Sequence, residues 1–266
     1  MSLRPDKLKE AIEEDLQNGK KPLCVVATLG TTSTTAVDPH FDIAEICKRY
    51  DIWLHVDAAY AGTALVLPEY RWMIKGIQHV DSFVFNLHKW MFTNFDCSAY
   101  FVKDKEALIQ TFEILPEYLK TKTQETVNNY RDWGIPLGRR FRALKLWFVI
   151  RSFGVEGIKG KIKNHIELAK NFAQQIIEHE DFELMASVVF NLVCFRYKPN
   201  RLSDDKEIAE VNEKLLHRLN ESGKIYLTHT KVNGHYTLRL VIGQTNVSKK
   251  HISDAWKLIQ RTAAEI

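Results

Sequence analysis

The sequence predicts an α/β fold, with a mostly parallel sheet flanked by helices and a smaller α+β unit after it. Three observations predict this. Short apolar runs at residues 23–28 and 52–56 bracket a helical pattern at 41–50, and the order strand, helix, strand pairs strands in parallel through a right-handed crossover. Polar residues follow each run at once, in Gly30-Thr31-Thr32-Ser33-Thr34-Thr35 and at Asp57, beyond the carboxyl ends of strands where ligand groups collect in such sheets. Past Gly154 the pattern changes to helices alternating with strand pairs. Residues 1–150 are therefore expected to form part of one domain and residues 151–266 a smaller one.

Element by element, Pro5 opens a helix in which Leu8, Ile12 and Leu16 fall four apart, and Gly19 stands where it stops. Apolar runs at 82–86 and 98–102 read as strands, which puts Lys89 on the connection between them. A long helix begins at 144–150 and bends near Gly154. Next come a helix at 158–178, strands at 182–185 and 188–197, a helix at 205–222, strands at 224–230 and 236–242, and a helix at 249–265. Residues 198–205 are polar and read as a loop within this unit.

With 266 residues, 45% of them hydrophobic and 26% charged, the chain has the composition of a soluble globular protein with a sizeable core. Its net charge of +4 is scattered, and pairs such as Lys20-Lys21 and Arg139-Arg140 are too short for a nucleic-acid tail. Cys24, Cys47, Cys97 and Cys194 show no C-x-x-C spacing, which argues against zinc or a redox couple and for reduced thiols. No apolar run reaches bilayer length, and residues 1–10 lack the apolar stretch of a secretory signal, so a cytoplasmic protein is expected.

The chemistry centres on Lys89, in Asn86-Leu87-His88-Lys89-Trp90, and Asp57, in His55-Val56-Asp57-Ala58-Ala59-Tyr60. An amine that condenses with an aldehyde and a carboxylate that keeps a pyridine nitrogen protonated are what pyridoxal phosphate asks of its protein. Lys89 is expected to be desolvated, since only its neutral amine reacts. Asp57 would hold the ring proton by a charge-assisted bond. Ala59, two residues on, would face the same side and pack its methyl flat on the ring. A single lysine is ordinarily a surface charge and a strand-end aspartate ordinarily a turn former. The aromatic, apolar company of Lys89 favours the functional reading, because an unpaired ammonium there is costly.

These stretches, with Asp81-Ser82-Phe83, Asn94-Phe95-Asp96-Cys97-Ser98 and Ile135-Pro136-Leu137-Gly138-Arg139-Arg140-Phe141-Arg142, resemble the group II pyridoxal-phosphate-dependent amino acid decarboxylases. The resemblance is strongest to the aromatic-L-amino-acid and histidine decarboxylases and runs along nearly the whole chain. It implies the large domain of a type I pyridoxal-phosphate-dependent transferase, and decarboxylation of an aromatic L-amino acid to its amine. By the same likeness Lys89 binds the cofactor aldehyde, Asp57 meets the ring nitrogen, Thr32 lies beside the cofactor, and Asn86 and His88 face its phosphate side. Tyr118 resembles the tyrosine of a mobile loop that returns a proton to the substrate α carbon. That loop reaches the neighbouring subunit's site in the family, which implies a homodimer. Gly138 matches a substrate-pocket position and looks like the aromatic-substrate enzymes. Arg139, Arg140 and Arg239 read as structural ion-pair formers.

Leu87 departs from the proline that many relatives carry before the His-Lys pair. The likeness also starts partway into the family's cofactor domain. The amino-terminal arm, the small-residue turn that grips the phosphate and the aromatic that stacks on the ring are expected to lie outside these residues. Gly30-Thr31-Thr32 would supply one side of a phosphate cradle. Besides the decarboxylase, two readings stay open: a related enzyme of the same cofactor, such as an aldehyde synthase or histidine decarboxylase, and an inactive folded fragment or assembly partner.

Overall fold

The computed structural model describes residues 2–113 and 129–266. Strands β1 (Cys24–Thr28), β2 (Trp53–Asp57), β3 (Ser82–Asn86) and β4 (Ser98–Val102) form one sheet in that order. The first three run parallel and β4 is antiparallel to β3. Helix α1 (Pro5–Gln17) precedes the sheet, and α2 (His40–Tyr50) makes the crossover from β1 to β2. Lys48 and Arg49 in the last turn of α2 suit the negative end of its dipole, and Asp51, at φ 54°, stops it in the left-handed conformation. Buried Asp38 accepts the backbone N–H of Leu3 at 2.7 Å and of Thr28 at 2.8 Å, so one carboxylate ties the chain's start to the end of β1.

Three 3₁₀ segments that the sequence pattern does not signal, Ala61–Val66, Pro68–Ile74 and Ile77–His79, carry the chain from β2 to β3. Between β3 and β4 lies α3 (Leu87–Trp90), a single turn that buries Leu87 and Trp90. Helix α4 (Lys105–Phe112) follows β4 and is capped by Asp104, whose side chain accepts the N–H groups of Glu106 and Ala107.

Helix α5 (Arg142–Ile177) bends at Gly154 (φ 65°, ψ 170°), as the sequence predicts. The segment after the bend serves both cores. Ile158, Ile162 and Ile166 pack with Leu54, Val56 and Trp90 behind the first sheet, whereas Leu168, Phe172 and Ile176 pack into the second. The second sheet is antiparallel, in the order β5 (Phe182–Leu184), β6 (Leu192–Tyr197), β8 (His235–Val241), β7 (Thr228–Val232). Helices α6 (Asp205–Glu221) and α7 (Lys249–Ala264) complete the unit. All six residues of β6 are buried, as in a strand covered on both faces.

Two strand starts differ from the sequence pattern by four residues. β7 begins at Thr228 instead of 224, because the Asn220 side chain binds both the N–H and the carbonyl of Leu227 and takes that backbone out of the ladder. β6 begins at Leu192 instead of 188, after Asn191 has used its side-chain amide on the Ile242 carbonyl at 2.8 Å. Large apolar side chains stay exposed on the first sheet (Val26, Tyr100, Phe101) and at the front of α5 (Trp147, Phe148). Among the described residues no helix is long and apolar enough to cross a membrane.

Asn212 is fully buried on α6 and accepts from Tyr197 N–H at 2.8 Å while donating to the carbonyls of Tyr197 at 2.7 Å and Ile208 at 2.8 Å. Asn212→Ala strands buried backbone groups at the end of β6 and is expected to lower stability by about 3 kcal/mol. Urea unfolding measures this, and a variant within about 0.5 kcal/mol of the parent contradicts it.

Candidate active site

A cavity of about 340 Å³ opens beyond the carboxyl ends of β1 and β2, and β6 and β8 close its far side. Thr32, Asp57, Ala59, Tyr60, Lys89 and Arg239 stand in its wall. Its floor is the threonine turn. Gly30 (φ 84°) and Thr31 both donate to the Ala36 carbonyl, at 3.0 and 2.9 Å, and the Thr31 hydroxyl accepts the Ala36 N–H at 3.0 Å. A Cβ on Gly30 would stand 2.7 Å from the Ala61 methyl, so glycine is needed for both conformation and close approach. Thr35 also lines the cavity, and its buried hydroxyl has no partner among the described residues.

Asp57 ends β2, half-buried, and one carboxylate oxygen accepts the Ala59 N–H at 2.8 Å. That bond is an Asx turn. It brings Ala59 to the cavity from beyond the strand, not by the strand alternation that the sequence suggested. The Ala59 carbonyl then accepts the Asn86 N–H at 3.0 Å, which joins the turn to the end of β3 just before Lys89.

Lys89 reaches the same cavity from α3. It is exposed, which corrects the expectation of a desolvated amine. The reason is geometric: with Leu87 and Trp90 turned into the core, a one-turn helix aims its third residue outward. Trp90 is 1% exposed and stacks on Tyr60, with ring centroids 5.3 Å apart and planes 11° from parallel. The Tyr60 hydroxyl donates to the Asn191 side-chain oxygen at 2.8 Å, and burial raises its pKa.

Arg239 is the cavity residue that the sequence reading assigned elsewhere. It was expected to meet a carboxylate. Instead it donates from Nε to the Ser33 carbonyl at 2.9 Å, from Nη2 to the Thr32 carbonyl at 2.6 Å and from Nη1 to the Thr228 hydroxyl at 2.8 Å. The available signal was its position between Leu238 and Leu240, since a cation set in an apolar strand must have a use for its charge.

The other candidates lie apart from this wall. Asn86 and His88 precede Lys89, and the His88 ring accepts the Cys97 N–H at 3.0 Å instead of lining the cavity. Gly138 sits in an exposed loop where an added Cβ would meet nothing within 4 Å. Arg139 donates to the Tyr130 carbonyl. Tyr118 lies outside the described residues. Burial pushes the thiols of Cys47 and Cys194 up to about 11, so neither is a thiolate at neutral pH.

An aldehyde-bearing pyridine needs an amine at one end, a carboxylate at its ring nitrogen and a flat wall between, and Lys89, Asp57 and Ala59 all line this one cavity. Such a set beyond the ends of parallel strands defines the pyridoxal-phosphate-dependent α/β class. Residues 1–198 match the pyridoxal-dependent decarboxylase conserved domain. The chain belongs to that family. It is 47% identical over 263 residues to tyrosine decarboxylase 3 of Petroselinum crispum, covering 97% of this chain and 51% of the relative. It is 46% identical over 265 residues to phenylacetaldehyde synthase of Arabidopsis thaliana, covering 99% and 54%. The solved structure of Oryza sativa TDC with PLP and tryptamine superposes with a TM-score of 0.95 at 38% identity, over 99% of this chain and 55% of that one. The chain thus spans about half the length of the curated relatives it matches.

His40, His55 and His165 all have pKa values lowered from 6.5, in each case chiefly by burial. A lowered histidine pKa means that the unfolded chain binds the proton more readily, so this stability is present above about pH 6.5 and is lost as pH falls below it. The urea midpoint is therefore expected to drop between about pH 7.5 and about pH 5.5. Equal midpoints contradict the expectation.

Proposed function

We propose that the chain is the carboxyl-terminal portion of a decarboxylase that uses pyridoxal phosphate to convert an aromatic L-amino acid into the corresponding amine and carbon dioxide. The observation that carries this reading is the meeting of Lys89 and Asp57, from separate elements, on one cavity. Similarity to tyrosine and tryptophan decarboxylases supports the substrate class. When bound, the cofactor supplies an aldehyde for amine exchange and a protonated ring that accepts the electron pair left by departing carbon dioxide.

The chain's residues take the following parts. Lys89 gives the amine that holds the aldehyde between turnovers, and Asp57 keeps the proton on the ring nitrogen with a charge-assisted bond. Ala59 offers a methyl too small to displace the ring, and the Thr32 hydroxyl donates to a ring or substrate oxygen. Asn86 and His88 serve the phosphate side. Arg239 has N–H groups beyond its three engaged donors, and its charge orients the substrate carboxylate. Tyr118 returns a proton to the substrate α carbon, and Gly138 leaves room in the substrate pocket. Residues 1–150 belong to the cofactor-binding domain and 151–266 to the small domain, a division that the two sheets support. The protein acts as a cytoplasmic homodimer.

A second reading, aldehyde formation, is favoured by the 46% identity to a phenylacetaldehyde synthase. Tyr118 argues for the amine by the family likeness, because a phenol that donates a proton to the α carbon ends the reaction at protonation.

Borohydride added with pyridoxal phosphate is expected to fix a cofactor-mass adduct on Lys89, located by peptide mass spectrometry and lost in Lys89→Ala. An adduct on another lysine rejects the assignment, and none at all favours an inactive fragment. In the whole protein, Tyr118→Phe is expected to shift product from amine to aldehyde, read by chromatography after incubation with tyrosine. An unchanged product ratio removes Tyr118 from the mechanism.

A further inference from the structure

Behind the cavity lies a buried polar contact that none of the proposed chemistry uses. The Trp90 indole N–H donates to His165 Nδ1 at 3.1 Å, and His165 Nε2 lies 3.0 Å from the Gln244 carbonyl. Indole is a donor only and a carbonyl an acceptor only. Both contacts are therefore satisfied by one form of the imidazole, neutral, with Nδ1 bare and the hydrogen on Nε2. His165 is 1% exposed, and the Phe92 ring meets it edge-on with centroids 5.8 Å apart. Lys161, one turn earlier on α5, places its ammonium on the Thr245 carbonyl at 2.9 Å and adds a positive charge that disfavours the imidazolium.

We propose that His165 is a positioning residue for Lys89, acting through the Trp90 indole. The proposal rests on the role given to Lys89 above. Helix α3 has four residues and no side-chain cap; His88 ties one side of it to Cys97, and Trp90 anchors the other. The direction of Lys89 is then set by how its neighbour is held. Tyr60 covers one face of the indole, and Phe190 meets it edge-on at 6.2 Å. A Cβ on Gly243 would stand 3.9 Å from the Trp90 ring. These contacts stop the ring from tilting, while the bond to His165 fixes its direction in its own plane. Gln244 lies just past β8, which bears Arg239, so the same imidazole ties the lysine turn to the strand carrying the cavity's guanidinium.

The test uses the 266-residue chain without cofactor, so it does not depend on whether pyridoxal phosphate binds. Nitrogen-15 spectra at neutral pH are expected to show His165 with Nδ1 unprotonated and Nε2 protonated; the opposite tautomer, or an imidazolium, overturns the proposal. Competitive acetylation with acetic anhydride, read by peptide mass spectrometry against exposed Lys257, then reports on Lys89. His165→Phe is expected to change the relative Lys89 rate severalfold. His165→Asn, whose side-chain oxygen can stand near the place of Nδ1, is expected to keep it at the parent value. An unchanged rate in the phenylalanine variant overturns the proposal. Should that variant fail to fold, the asparagine variant decides: a retained Trp90 indole signal with a parent-like Lys89 rate supports the role, and a retained signal with an altered rate overturns it.

Discussion

The guanidinium of Arg239 makes one cavity out of two sheets. It leaves β8 and donates to the carbonyls of Thr32 and Ser33, in the turn that follows β1. The Thr230 and Ser33 hydroxyls meet 3.1 Å apart alongside, and the Cys194 thiol lies 3.4 Å from the Ser33 carbonyl. Hydrogen bonds from a charged donor contribute about 1.5–3 kcal/mol each, more than neutral ones, and they are directional. This grip sets where Leu192 and Val241 stand opposite Asp57 and Lys89. It acts beside the Tyr60–Asn191 hydrogen bond and helix α5, which also join the two layers.

The parts of this arrangement that could be read from sequence are those with a local cause. Strand, helix, strand order located β1, α2 and β2, and the bend at Gly154 followed from a glycine within a helical pattern. Lys89 and Asp57 stood out because amine and carboxylate both occur just past apolar runs. What escaped depends on contacts across the chain. Asn191, Asn212 and Asn220 each bind backbone groups of a distant or neighbouring element, and no pattern of hydrophobicity signals which asparagine will do so. The exposure of Lys89 escaped for a related reason, since apolar neighbours in sequence need not be neighbours of the amine. Arg239 was misassigned because a strand arginine meets carboxylates more often than carbonyls, and its partners lie about two hundred residues earlier.

The electrostatics of the site follow from the same geometry. A carboxylate held by the turn it organises, an amine open to water and a guanidinium engaged with carbonyls give the cavity one fixed negative group and two positive ones. That balance suits anionic ligands that carry an amine-reactive carbon. Asp57 and Arg239 are fixed by hydrogen bonds, whereas Lys89 is exposed.

Past its bend, helix α5 lends side chains to both cores from one stretch. Melting either end removes a wall from one core and loosens the backbone that anchors the other. The glycine joint lies before both sets of buried contacts, so the stretch that bridges the layers is unbroken helix. The two layers are thus coupled into one cooperative unit, and heat disassembles them together instead of in sequence.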